Sequence, residues 1–276
     1  MLILAEVLLR ALGFAGSALP KTYIDGEFRL KPNTTGTWIK GTSAEIKSRY
    51  QINNQGFNSI IDYSCEDTSK IYVALIGASY IEGLHTSVDS SIGRRIEEYM
   101  PEYGLEVHEY GISGWNAWNF LEVANDIQDK YRVIYIRILD KSLLGGAPTR
   151  HRVTPTSLLR RIYKASHFLR YIRINRGLIR SVENMGPKKI QSRLDKKKIP
   201  EYSLLSKFPD NCIFLYEDDR FDKNCVNKYT SILSIEHVLL PKDFGKQDSH
   251  WNNNGRENCA RTIVKSLSEM IGIDER

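Results

Sequence analysis

The chain has 276 residues, of which 41% are hydrophobic, 26% charged and 10% aromatic. That composition excludes a disordered polymer, and the absence of a fixed-period repeat or a low-complexity tract excludes a solenoid or fibre, so one large domain or two small ones with a true core remain. The formal net charge of +6 is unevenly placed: Thr149 to Lys198 holds 15 Lys or Arg against Glu183 and Asp195, a net of +13, which leaves −7 on the rest.

The first residues, MLILAEVLLRALGFAG, are apolar but interrupted by Glu6 and Arg10. They fall short of the roughly 20 residues that cross a bilayer, and no basic stretch precedes them as in a cleaved signal peptide. The segment 1–18 is therefore expected as an amphipathic anchor, the end of a membrane helix, or a helix packed on the domain 19–276. Leu19 to Tyr50 is polar and rich in Gly, Pro and Thr, and reads as loop or short strands; Asn33-Thr34-Thr35 fits a glycosylation sequon.

From Ser69 a regular alternation begins. KIYVALIG is a continuous apolar, β-branched run, as expected of a strand buried on both faces. SIGRRIEEYM follows with helical spacing, then the strand LEVHEYG, the helical AWNFLEVANDIQDK and the strand YRVIYIRIL. The basic segment, an insertion at about 147–200, carries apolar pairs at Leu158/Leu159, Ile162/Tyr163, Phe168/Leu169 and Tyr171/Ile172 among its arginines, which predicts one or two amphipathic helices. NCIFLYE and IEHVLLP supply two more strands, and NNNGRENCARTIVKSLSEMIG ends the chain as a helix. Five strands interleaved with helices predict an α/β three-layer sandwich around a five-stranded parallel sheet, with its ligand site beyond the carboxyl ends of the strands.

Those strand ends carry Gly77-Ala78-Ser79 with Glu82-Gly83, then YGISGWNAWN, then LDKSLLGG, and after the fifth strand KQDSHWNNNG. A serine becomes nucleophilic near neutral pH only with a base beside it, and the base needs a third group to fix its tautomer. Asp248-Ser249-His250 offers both on one loop, opposite Ser79 at the end of the first strand of the sheet. Glu82 reads as a solvated helix start, with a substrate contact as the alternative. Trp115 reads as lining of a sugar site and Trp118 as core.

With these residues in place the chain resembles the SGNH (GDSL-type) esterases and acetyltransferases. Gly77-Ala78-Ser79 with Gly83 is similar to the family's Gly-Asp-Ser block, Gly111-Ile112-Ser113-Gly114 to its G-x-x-G turn, and DSHWNNNG to its Asp-before-His block. NNQGFNS, Asn53 to Ser59, looks like the segment before the first block in membrane-associated members, and the D-x-H-W form looks like members that handle O-acetyl groups on cell-surface polysaccharides. The resemblance runs from about Gln51 to the C-terminus, the basic insertion excepted. It implies a flavodoxin-like SGNH fold with Ser79 as nucleophile, His250 as general base and acid, and Asp248 as its orienting partner. The oxyanion hole would use the N–H groups of Ser79 and Gly114. Two positions depart from the pattern: Ala78 stands where the family has Asp, and Leu139, in Ile138-Leu139-Asp140, where it has the asparagine that completes the oxyanion hole. Asn116 is the candidate replacement donor.

The expected activity is thus a serine-dependent ester hydrolase or O-acetyltransferase on an acylated carbohydrate, with Trp115, Asp140 and Trp251 as substrate contacts. The alternatives are a catalytically impaired glycan-binding relative and a membrane-surface module using the basic insertion. An anionic membrane surface is the expected partner of that insertion, in a membrane-associated, extracytoplasmic or periplasmic setting, the alternative being cytoplasmic. No nucleic-acid module is recognisable, no cofactor is implied, and neither the histidines nor the cysteines have metal-ligand spacing. Of Cys65, Cys212, Cys225 and Cys259, the pair Cys212/Cys225 is the expected bridge in an exported chain; in a reducing compartment all four are thiols.

Overall fold

In the computed structural model the described residues are 2–24, 26–137, 144, 158–183, 202–216, 231–235 and 250–272. Leu139, Asp140, Cys225 and Asp248 lie outside them.

The amino-terminal part is more ordered than its loop-like composition suggests. Helix α1 (Leu2–Leu12) leads into two antiparallel hairpins, β1 (Lys21–Ile24) with β2 (Glu27–Leu30) and β3 (Thr34–Lys40) with β4 (Ile46–Ile52). The NNQGFNS stretch then folds back on itself. Asn53 Oδ1 accepts from Phe57 N at 2.9 Å, and Gly56 holds a left-handed φ of +84° with no room for a Cβ against Leu30 O.

The second part builds the sheet. In chain order come β5 (Ile71–Gly77), α2 (Ser79–Glu82), α3 (Ile92–Tyr99), β6 (Leu105–Gly111), α4 (Ala117–Ile127) and β7 (Val133–Arg137). The basic insertion follows with α5 (Leu158–Ala165) and α6 (His167–Glu183), then β8 (Cys212–Tyr216), β9 (Ser231–Ser234) and α7 (Asn253–Ile271). All five sheet strands are parallel, in the order β6-β5-β7-β8-β9, which is the doubly wound arrangement with its switch point beside β5. The fifth strand of the sheet is Ser231–Ser234; of the run IEHVLLP only Ile235, just past its end, is among the described residues.

Alternation along the strands divides the interior in two. Ala74, Ile76, Ile134 and Ile136 point to one face, where they meet α4 residues Phe120 and Ala124 and the aromatic cluster of Phe57, Tyr63 and Tyr110. Val73, Leu75, Val133 and Tyr135 point to the other, against Ile92 and Ile96 of α3 and Cys259, Ile263 and Leu267 of α7. Both faces are covered, which is why these strands read as unbroken apolar runs. The expected three-layer α/β sandwich with a five-stranded parallel sheet is the observed fold.

The insertion helices do not project freely. Arg170 is buried and donates Nε to Gly16 O at 2.8 Å, Asn175 Oδ1 accepts from Gly41 N at 2.8 Å, and Tyr171 donates its hydroxyl to Thr42 O at 2.8 Å. These contacts seat α6 on the β3–β4 hairpin, while Arg161, Lys164 and Arg173 face outward. No helix among the described residues is long and apolar enough to cross a membrane. Cys212 is a buried thiol, pushed up to about 12 by desolvation; Cys225, its expected bridge partner, lies outside the described residues.

Candidate active site

Ser79 opens α2 one residue after the interior strand β5. The helix is only four residues long and seats directly on the strand ends, because Gly77 and Gly111, paired in register, carry no side chain there. A Cβ on Gly111 would fall inside the backbone of Ile81 and Glu82. Gly83, at φ +69°, ends the turn in the left-handed region that glycine favours.

His250 precedes α7, whose first turn is capped by Asn252 accepting from Asn254 N at 2.9 Å and Gly255 N at 3.1 Å. The cap fixes where the helix starts and so where His250 stands. Its Nε2 lies 2.7 Å from Ser79 Oγ, and both groups are half-buried. With the ring proton on Nδ1, Ser79 donates to Nε2, the arrangement that lets an imidazole take the hydroxyl proton.

Aromatic rings surround this pair. His85 stacks on His250 with centroids 4.1 Å apart and planes 14° from parallel, and Tyr80 lies 4.7 Å away at 34°. Behind Tyr80, Trp251 packs edge-on at 4.7 Å, and the Arg137 guanidinium sits 5.0 Å from the Tyr80 ring and 4.7 Å from that of Trp251. Arg256, fully buried, donates Nη2 to Tyr80 O at 3.2 Å. Desolvation brings its guanidinium down to about 10, partly opposed by the Glu109 carboxylate.

Glu82 is not a solvated helix start. It is 3% exposed, accepts the Ser113 hydroxyl on Oε2, and so ties the G-x-x-G turn to the nucleophile helix. Burial raises its carboxyl above the ordinary range, opposed by the Ser113 hydrogen bonds and by the charge of Lys21. Asn58, from NNQGFNS, donates Nδ2 to Glu82 O at 2.8 Å and holds the same helix from the other side. The next residue in the turn, Gly114, is exposed, with a left-handed φ of +89°.

Other candidates from the sequence land differently. Asn116 is buried at the start of α4, where Oδ1 accepts from Trp118 N at 3.2 Å and Asn119 N at 3.4 Å, while Asn119 Oδ1 accepts from Asn116 N at 3.2 Å. Its carbonyl oxygen is thus spent on a capping box. Trp115 is core rather than lining, because the chain turns inward after Gly114 and drives it against Phe57 and the Arg29 guanidinium. Trp118 is the half-exposed one, with Lys207 Nζ 5.0 Å from its ring. Trp251 is wholly buried, held by Tyr80 and Arg137, and presents no face to a sugar. Asp140 and Asp248 lie outside the described residues. Among the described residues no cluster of His, Cys, Asp or Glu is placed to hold a metal ion.

No family model matches the chain, and no curated protein matches it. Solved structures with a similar arrangement include a carbohydrate acetylesterase family member from Sinorhizobium meliloti, at 9% identity and a TM-score of 0.38 over 74% of this chain and 100% of that one. A family 3 carbohydrate esterase from Clostridium thermocellum matches at 12% identity and a TM-score of 0.37, over 72% of this chain and 98% of that one. A member of the lipolytic protein G-D-S-L family from Veillonella parvula matches at 11% identity and a TM-score of 0.35, over 72% and 98% respectively. At such low identity and superposition, function is read from the side chains themselves.

Proposed function

We propose that the chain is an SGNH-type serine esterase or O-acetyltransferase acting on acyl esters of a carbohydrate. The observation that carries the reading is the 2.7 Å approach of His250 Nε2 to Ser79 Oγ at the carboxyl end of the sheet. Ser79 Oγ attacks the ester carbonyl as His250 takes its proton, and the tetrahedral oxyanion rests on the N–H groups of Ser79 and Gly114 with the Asn116 amide as third donor. Collapse expels the sugar oxygen, which receives the proton from His250 and leaves an acyl-Ser79. Water, or a second sugar hydroxyl, then gives a proton to His250 and takes the acyl group, and His250 returns that proton to the departing Ser79 Oγ. Asp248 is assigned the orienting role on Nδ1, and Asp140 a polar contact to the sugar; both assignments rest on the sequence. The carbohydrate class rests on the D-x-H-W resemblance. A serine-directed fluorophosphonate followed by mass spectrometry tests the reading: an adduct on Ser79 supports it. No adduct together with retained glycan binding favours the impaired, glycan-binding relative that Ala78 and Leu139 suggest.

A membrane-surface setting is supported by one further relationship. Leu2, Ile3, Leu4, Val7, Leu8 and Leu12 of α1 are exposed, and Glu6 of that helix accepts from His167 N and Phe168 N, each at 2.9 Å, which joins the apolar helix to the basic insertion. An apolar helix beside outward-facing Arg161, Lys164 and Arg173 suits an anionic bilayer, each nearby cation adding roughly 1 kcal/mol at the surface. Sedimentation with anionic vesicles, weakening with salt, is the expected result; retention only on an acidic glycan column would make the insertion a substrate lid instead.

A further inference from the structure

We infer that His85 is a positioning residue for His250: it holds the imidazole in the ring plane that proton exchange with Ser79 requires. The catalytic readout rests on the serine-ester reading above; the geometric one does not.

In acyl transfer the imidazole must accept a proton from one oxygen and return it to another without turning. A half-turn of the ring would replace Nε2 by a carbon facing Ser79 and break the 2.7 Å contact. His250 stands ahead of the α7 cap, and the contacts that orient its ring include the Ser79 hydroxyl and two neighbouring rings. Of these, His85 alone lies nearly parallel to it, with centroids 4.1 Å apart and planes 14° from parallel, while Tyr80 is tilted by 34°. A parallel neighbour at van der Waals distance blocks rotation of the ring out of its plane, and an offset-stacked pair is itself attractive.

His85 is in turn held from the far side. It follows the left-handed Gly83 that ends α2, and the adjoining backbone is anchored to the β3–β4 hairpin: Ser48 donates its hydroxyl to Leu84 O, and Ser87 Oγ accepts from Arg49 N at 3.2 Å. Trp38 of β3 stands edge-on to the His85 ring at 6.4 Å and 73°. A continuous line of contacts therefore runs from the amino-terminal hairpin through Trp38 and His85 to His250 and Ser79. This gives the hairpin, which lies outside the α/β sandwich, a part in the chemistry.

The test compares full-length wild type with His85→Ala and His85→Phe. Loss of one aromatic pair predicts a three- to tenfold fall in kcat for p-nitrophenyl acetate in His85→Ala, with KM within about twofold of wild type. His85→Phe keeps a flat ring and should recover most of the loss. Nuclear magnetic resonance spectra of the His250 ring supply a readout independent of turnover: one set of ring signals in wild type and His85→Phe, doubled or exchange-broadened signals in His85→Ala. If His85→Ala does not fold, His85→Leu, similar in bulk but without a flat face, takes its place. Wild-type kcat and an unchanged His250 spectrum in His85→Ala would overturn the inference, and so would a His85→Phe chain as impaired as His85→Ala. A wild-type chain without esterase activity, whose single set of His250 ring signals is still lost in His85→Ala, would retire the ester reading and keep the positioning.

Discussion

Ser79 and His250 are 171 positions apart in sequence, yet Oγ and Nε2 meet at 2.7 Å. The sheet makes the meeting possible: β5 delivers the serine at the switch point, and α7 packs back over the same face through Cys259, Ile263 and Leu267. The first prediction follows from that contact. Ser79→Ala should abolish the fluorophosphonate adduct and lower kcat on p-nitrophenyl acetate by about 10³-fold or more, and His250→Ala should do nearly the same. Combining the two should cost little beyond either alone, since they act as a unit. Activity that survives Ser79→Ala would assign the chemistry to another group.

Asn116 has one observed role and one proposed role. Its carbonyl oxygen caps α4, and its amide is the proposed third donor to the oxyanion. Asn116→Asp keeps the cap and removes the amide. Thermal stability should therefore hold while kcat falls by roughly 10²- to 10³-fold. Asn116→Ala should show the same fall and, in addition, about 1 kcal/mol less stability. An Asn116→Asp chain with wild-type kcat would leave the residue with the cap alone.

How much of this was legible in the sequence depends on the kind of signal. β5, β6 and β7 could be read because burial on both faces leaves an uninterrupted apolar run, and Ser79 and His250 because they stand at the ends of such runs. The strand Ser231–Ser234 went unread because it is short and framed by serines, while the stronger apolar run begins at its end. His85 carried no signal: a lone histidine two positions after a glycine has no spacing to recognise, and its stack on His250 exists only once α2 and α7 are docked. Glu82 and the tryptophans misled for the opposite reason. A charge beside a turn looks solvated, and an indole beside a glycine-rich block looks like a sugar platform. Whether either is buried depends on what packs against it, here Ser113 and Asn58 for Glu82, and Phe57 and Arg29 for Trp115.

The buried Trp251 gives a stability prediction. Trp251→Ala should cost about 3–5 kcal/mol, the usual range for emptying a large aromatic from a core. Trp251→Phe should cost less and retain part of the contact with Arg137. Urea midpoints measure both. A near-neutral Trp251→Ala would mean the residue is exposed in solution and free to line a substrate site.

Glu82 gives a pH prediction. Burial holds its carboxyl above the unfolded value of 4.5, so the folded chain binds its proton more tightly than the unfolded chain does. Its contribution is fully present below about pH 4.5 and is lost as pH rises through the folded value. Glu97, raised to about 7 by burial despite Arg94, slopes the same way in any variant that retains it. Glu82→Gln isolates the first group: the variant should gain on wild type as pH rises from 4.5 to 8. A stability difference that stays flat over that range would mean Glu82 is ionised in the folded chain.

Glu6 slopes the opposite way, and its consequence reaches the amino-terminal helix. Its carboxylate accepts the amides of Phe168 and His167 and the hydroxyls and guanidinium of Ser166 and Arg10, which hold it down to about 2. A depressed carboxylate contributes stability that is present above its unfolded value of 4.5 and is lost as pH falls toward 2. The contact it supports is the one between α1 and α6, so acid should loosen that contact ahead of the sheet. Hydrogen exchange, corrected for intrinsic rate, should show the first amides of α6 losing protection between pH 4.5 and 2 while β5 and β7 keep theirs. In Glu6→Ala those amides should exchange quickly at neutral pH and show no further change with acid. Equal protection in both chains at neutral pH would mean that α6 is held by its buried Arg170 and Asn175 alone, and that α1 rests on it without fastening.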